Sequence, residues 1–157
     1  MNKVDIKIRE AKVEDLAILK MFEQEIIRYE RPFGANLKDD PLEYYDLLDF
    51  IQRQDAQVIV ATINEEIVGS GYALTKKSAS YVRFEYHAYL GFMYVLPQFR
   101  GKGINGEIIK NLIDWAKKRG LTEIQLEVYA ENESAIKAYK RSNFKPDLLR
   151  MRFNTEA

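Results

Sequence analysis

Val95-Leu96-Pro97-Gln98-Phe99-Arg100-Gly101-Lys102-Gly103-Ile104-Asn105-Gly106 carries the end of an apolar strand into a short basic, glycine-rich turn and then into a helix. Gly101, Gly103 and Gly106 let the backbone turn tightly and approach a ligand without Cβ obstruction. A helix that starts near Ile104 directs its unpaired N–H groups and the positive end of its dipole toward that turn. Arg100 and Lys102 add charge of the sign a pyrophosphate requires, so the stretch reads as a phosphate cradle.

The helix behind the turn is well marked. Ile104, Ile108, Ile109, Leu112, Ile113 and Ala116 fall on one face, and Glu107, Lys110, Asp114 and Lys117 on the other. Lys117, Lys118 and Arg119 complement its negative end, and Gly120 supplies a left-handed stop. Two other phosphate motifs fit less well. A P-loop needs Ser or Thr after its Gly-Lys pair, whereas Gly103 follows Gly101-Lys102. A dinucleotide fingerprint matches the spacing of Gly101, Gly103 and Gly106, with Glu123 or Glu127 as its acidic residue, but too little parallel strand follows for a nucleotide-binding half-domain.

The 157 residues suit one domain, 1–157, with a sizeable core. With 24 basic against 24 acidic side chains, no electrostatic case arises for nucleic acid or an anionic membrane. The absence of cysteine removes thiolate nucleophiles and Cys-based metal sites, and His87 is the single histidine, so no metal is expected. The first residues are charged at Lys3, Asp5, Lys7, Arg9 and Glu10, and no apolar run reaches membrane-spanning length, which points to the cytoplasm.

Hydrophobic periodicity predicts the order β α α β β β α β α β. An opening strand runs from Val4 to Arg9, with Val4, Ile6 and Ile8 on one side. Leu16, Leu19, Phe22, Glu23, Ile26 and Ile27 mark a helix that ends before Arg31-Pro32-Phe33-Gly34. Asp39 or Asp40 caps a second helix, with Pro41 at its first position and Tyr44, Leu47, Leu48 and Ile51 as its stripe, ending near Arg53. Gln57 to Ile63 and Ile67 to Leu74 form a hairpin around Asn64-Glu65-Glu66. Lys76 to Ser80 is a loop. Tyr81 to Val95 is a long strand kinked at Gly91. Glu123 to Val128 is a strand, Glu133 to Ser142 a helix and Leu148 to Phe153 a closing strand.

Together the glycine turn, its strand and the segment Leu126-Glu127-Val128-Tyr129-Ala130-Glu131-Asn132-Glu133-Ser134-Ala135-Ile136-Lys137-Ala138-Tyr139-Lys140-Arg141-Ser142-Asn143-Phe144 resemble the GNAT superfamily of acyl-CoA-dependent N-acetyltransferases. Its signature of Arg or Gln, two residues, Gly, one residue, then Gly or Ala is met from Arg100 onward except at the last position, where Asn105 stands. The second half, an Asn followed by a small residue, a Tyr and a Phe, is present as Asn132, Ala135, Tyr139 and Phe144.

The resemblance implies an α/β (α+β) domain with a mixed central sheet of six to seven strands, flanked by about four helices. Its fourth and fifth strands splay apart to admit a pantetheine arm. Backbone groups of Met93, Tyr94 and Val95 would pair with the pantetheine amides as an added strand. Arg100, Gly101, Lys102, Gly103, Ile104, Asn105 and Gly106 would hold the pyrophosphate, Asn132 would contact the cosubstrate, and Lys137, Lys140 and Arg141 would meet its 3′-phosphate.

The implied reaction moves an acetyl group from acetyl-CoA to a primary amine by direct attack in a ternary complex. The acceptor is a small-molecule or peptide amine, and a homodimer is within the family's habits. A lysine-type amine, with a reference pKa of about 10.4, needs a proton acceptor near neutral pH. A backbone N–H near Met93 or Val95 would polarise the thioester carbonyl, and Tyr139 stands at the family position of the acid that protonates the thiolate. Glu127 resembles the base of the branch that acetylates protein amino termini, and Glu85 with His87 forms a rival base constellation. Tyr29, Phe33, Tyr44 and Tyr45 lie where the family builds its acceptor pocket. The alternative is a non-catalytic acyl-CoA-binding regulatory domain.

Overall fold

Strands buried along most of their length build the centre of the sheet in the computed structural model, which describes residues 5–156. The chain divides into two compact units, the first ending at Glu127 and the second starting at Val128. The first contains β1 (Lys7–Glu10), α1 (Leu16–Glu30), α2 (Leu47–Gln52), β2 (Ala56–Ile63), β3 (Glu66–Lys77), β4 (Tyr86–Val95), α3 (Ile104–Lys118) and β5 (Ile124–Leu126). The second contains α4 (Glu133–Arg141). The strands lie in the order β1-β2-β3-β4-β5, antiparallel throughout except for the parallel β4–β5 pair.

Leu19 and Phe22 of α1 and Leu47 of α2 are buried against Val58, Val60 and Leu74 of the sheet. Leu19 is wholly enclosed, a burial that stabilises by roughly 1.5–3 kcal/mol. Ile104, Ile108, Ile109 and Leu112 of α3 are buried as their spacing predicts. Gly120 stops α3 at a φ of 76°, with Leu121 N–H donating to the Ala116 carbonyl and Gly120 N–H to that of Lys117. Among the described residues no helix is long and apolar enough to cross a membrane.

Five strands form among the described residues, fewer than the six to seven expected. Leu148 to Phe153 carries a strand pattern but joins no ladder, and Leu148 and Phe153 are 92% and 89% exposed. A period-two pattern makes a strand only where a partner strand meets its backbone. Val4 of the expected opening strand lies outside the described residues; the rest pairs as Lys7–Glu10 with Ile59–Thr62 of β2.

The second helix starts later than expected. Glu23 is 2% exposed, and its Oε2 accepts from the N–H groups of both Tyr44 (2.6 Å) and Tyr45 (2.9 Å). Those donors serve a buried carboxylate instead of opening a helix, so α2 begins at Leu47 with Asp46 as its cap. The kinked strand is likewise shorter than expected, because Tyr81 to Glu85 form a turn and β4 begins at Tyr86. Part of the expected loop is strand, since β3 continues through Lys76 and Lys77 to pair with His87 and Tyr86.

Candidate active site

β4 and β5 run side by side only from Ala88 to Leu90, opposite Ile124 to Leu126. Beyond Leu90, β4 continues to Val95 without β5 beside it. Where the two part, β4 bulges. On its other edge Ser70 pairs with Tyr94 and Tyr72 with Gly91, so Phe92 and Met93 together face the single residue Gly71. The extra residue resets the alternation: Gly91 turns toward the Tyr72 ring, and the adjacent Phe92 packs in the same cluster.

Phe92 sits in the left-handed region at a φ of 61°, a conformation that costs a bulky residue roughly 1–3 kcal/mol and persists only where its surroundings hold it. Two contacts do so. Ser70 Oγ, wholly buried, donates to the Phe92 carbonyl at 3.0 Å, and Tyr45 meets the Phe92 ring edge-on at 5.4 Å. The sequence placed the bend at Gly91, one residue early, and missed Ser70, whose sole signal is a hydroxyl within the apolar run Ile67 to Leu74.

The glycine turn follows at once. Pro97–Phe99 make one 3-10 turn, and Gly101 and Gly103 adopt φ values of 79° and 81°. Space is open where a side chain at Gly101, Gly103 or Gly106 would project. Gly103 caps α3 without a side-chain hydrogen bond, and Glu107 N–H to the Gly103 carbonyl is the bond that opens the helix. The preceding N–H groups are therefore unclaimed by a cap, which is the donor set an anion takes. Asn105, the departure from the family signature, lies inside the first turn of α3 and needs no left-handed backbone. Arg100 also braces the turn, its Nε donating to the Val95 carbonyl at 2.9 Å while its guanidinium lies 5.7 Å from the Tyr94 ring centre.

An aromatic wall faces the bulge. Tyr45 meets Tyr72 edge-on at 5.2 Å, and Phe50 meets Tyr72 at 5.3 Å. Burial pushes the Tyr72 phenol upward, and the charges of Tyr89 and Glu127 add to the shift. Glu127, the residue just after β5, is exposed, and its field reaches this wall. Tyr29 and Phe33 form a separate edge-on pair at 5.8 Å.

Glu85 and His87 lie elsewhere. Glu85 belongs to the turn before β4, where its carbonyl accepts from Ser78 N–H and its side chain is exposed. His87 precedes Phe92 by five residues, about 17 Å of extended strand. Its Nδ1 is 2.8 Å from Ser78 Oγ, and burial, reinforced by Lys76, holds its pKa below the ordinary histidine value.

In the second unit, Asn132 caps α4, its Oδ1 accepting from Ala135 N–H at 3.3 Å. Asn143 ends that helix with a φ of 71°; its N–H donates to the Lys140 carbonyl, and Phe144 N–H to that of Tyr139. The rings of Tyr139 and Phe144 meet edge-on at 6.1 Å. The spacing of Asn132, Ala135, Tyr139 and Phe144 is thus also that of a capped and stopped helix.

These features define a class: a mixed α+β fold whose sheet opens at a bulge and leads into a glycine turn at a helix start. The model of the acetyltransferase (GNAT) family matches residues 20–144, and the chain belongs to that family. It is similar to an N-alpha-acetyltransferase 30 from Schizosaccharomyces pombe, with 27% identity over 67% of this chain and 68% of that protein. A thialysine N-epsilon-acetyltransferase from Mus musculus is 39% identical over 34% of this chain and 32% of its own length. An uncharacterized N-acetyltransferase from Methanocaldococcus jannaschii is 46% identical over 33% of this chain. The chain matches only 23% of the archaeal protein and 32% of the mouse one. Among solved structures, a predicted acetyltransferase from Clostridium acetobutylicum holding acetyl-CoA superposes with a TM-score of 0.73 at 17% identity, covering 96% of each chain. An aminoglycoside N-acetyltransferase holding CoA gives 0.74 at 16% identity, covering 99% of this chain and 98% of that one.

Proposed function

We propose that this chain transfers an acetyl group from acetyl-CoA to a primary amine, in the cytoplasm and by direct attack. The observation that carries the proposal is the sequence of features along one strand: β4 leaves β5 after Leu90, bulges at Phe92, and runs into a glycine turn at an uncapped helix start. Such a strand offers backbone pairing to the pantetheine arm through Met93, Tyr94 and Val95, and the turn from Arg100 to Gly106 receives the pyrophosphate. Asn132 is assigned to the cosubstrate by its place in the family motif.

Each atom of the transfer has a destination. The amine nitrogen bonds to the thioester carbonyl carbon as the carbon–sulfur bond breaks. Glu127 takes the amine proton, directly or through one water, and the Tyr139 hydroxyl returns a proton to the thiolate. Glu127 is preferred as base over Glu85 and His87 because its charge acts at Tyr72, beside Gly91 and the bulge. The acceptor class is a small-molecule or peptide amine, met by the aromatic side chains around Tyr45.

Thermal unfolding with acetyl-CoA, CoA, ATP and NAD tests the donor site. Acetyl-CoA at about a hundred times its dissociation constant should stabilise the fold by roughly 2.7 kcal/mol. Stabilisation by a nucleotide with none from acetyl-CoA would sink the proposal. Thiol release from acetyl-CoA across a panel of amines then tests turnover. Tyr139→Phe should slow it about a hundredfold while acetyl-CoA affinity stays constant. Binding without thiol release for every amine would instead make this a non-catalytic acyl-CoA-binding domain.

A further inference from the structure

Ser70 lies on β3 and reaches across to the backbone of its neighbour. It is wholly buried, and its hydroxyl donates to the Phe92 carbonyl at 3.0 Å. Phe92 is the left-handed residue of the bulge, at the point where β4 has lost its β5 partner. The sole cis peptide bond among the described residues is Asp40–Pro41, so the bond from Phe92 to Met93 is trans. In a trans peptide the carbonyl oxygen and the next N–H point in opposite directions. By holding the Phe92 oxygen on the β3 side, Ser70 turns the Met93 N–H away from β3.

We propose that Ser70 is a positioning residue for acyl transfer, which locks the Phe92–Met93 peptide plane so that the Met93 N–H is aimed at the thioester carbonyl oxygen. The inference rests on the acetyltransferase reading and adds to it the origin of the donor's orientation. A donor that must strengthen its bond as negative charge develops on oxygen works best when it cannot rotate. A bulge peptide lacks the ladder that fixes peptides elsewhere in the sheet, and Ser70 supplies the missing restraint. Ser70 is wholly buried with its hydroxyl on the Phe92 carbonyl, so its removal is expected to act on the rate of transfer and not on the grip on the cosubstrate.

The experiment compares wild type, Ser70→Ala and Ser70→Cys for kcat, KM for acetyl-CoA, CoA affinity and the thioester carbonyl stretch of bound 13C-labelled acetyl-CoA. Ser70→Ala should lower kcat at least about tenfold, with CoA affinity within about twofold, because outright loss of an oxyanion donor costs about 10²- to 10³-fold. The carbonyl stretch, lowered on binding to wild type, should move back toward its free value. Ser70→Cys, of similar volume and with a weaker donor, should fall between the two, and it decides the matter if Ser70→Ala does not fold. An unchanged carbonyl stretch in either folded variant, or a fall in kcat matched by an equal loss of CoA affinity, overturns the positioning role. Failure of wild type to bind acetyl-CoA removes the parent reading and this inference with it.

Discussion

The ring of Tyr72 rests directly on Gly91: a Cβ added there would lie 2.5 Å from both its Cζ and its hydroxyl oxygen. No side chain fits without displacing a ring held by Tyr45 and Phe50. Gly91→Ala should destabilise the fold by about 1–3 kcal/mol, read from urea unfolding midpoints. Combining it with Tyr72→Leu should recover part of that loss, giving a non-additive double-mutant cycle. Additive losses would show that the contact is not the cause.

The glycines of the turn are not equivalent. Gly103 needs a left-handed backbone and Gly106 does not. Gly103→Ala should cost about 1–2 kcal/mol and weaken acetyl-CoA binding as the turn shifts. Gly106→Ala, inside a helix and facing open space, should leave stability unchanged or raise it by about 0.5–1 kcal/mol. Calorimetric titration and thermal unfolding of both variants separate backbone strain from loss of binding.

Glu23 ties α1 to the segment before α2 through two backbone donors. Glu23→Ala leaves the Tyr44 and Tyr45 N–H groups without their acceptor and should cost about 2–3 kcal/mol. Glu23→Gln, which keeps one oxygen, should cost less. Equal losses in the two variants, measured by denaturant titration, would contradict this account.

Arg9 holds Asp15 with two hydrogen bonds, at 2.8 and 3.1 Å, and Lys12 N–H adds a third at 2.8 Å. The Arg9 hydrogen bonds outweigh burial and keep the Asp15 carboxyl below the ordinary range. Asp15 is therefore a stronger acid folded than unfolded. Its contribution is complete above the unfolded pKa of about 3.9 and is lost as the pH falls through the folded value. Asp15→Asn should be less stable than wild type at neutral pH, and the gap should start to narrow below about pH 3.9 and close as the pH falls through the lower folded value. A gap that did not narrow at all as the pH fell below about 3.9 would count against the ion pair.

Local patterns made most of the fold legible. The stripe of α3, its basic last turn and Gly120 each specify the same helix and the same stop, so sequence and structure agree there. The start of α2 was hidden because a residue far back in the chain, Glu23, captures the two N–H groups that would have begun it. The strand pattern of Leu148 to Phe153 was legible, but a pattern does not name its partner. At the site, the glycine turn was visible because its conformation demands glycine. Ser70 was not, since its importance depends on Phe92, which is distant in sequence and adjacent only through strand pairing.

The end of α4 has a consequence for how a family of this kind diversifies. The contact between Tyr139 and Phe144 involves their rings, and the stop itself uses main-chain groups of Lys140, Tyr139, Asn143 and Phe144. Tyr139→Phe keeps the ring that meets Phe144 and the main-chain bonds of the stop, and removes one oxygen atom. If the Tyr139 hydroxyl is the proton donor, a single oxygen atom separates a transferase from a protein that only senses acyl-CoA, and a lineage can cross that line in one substitution.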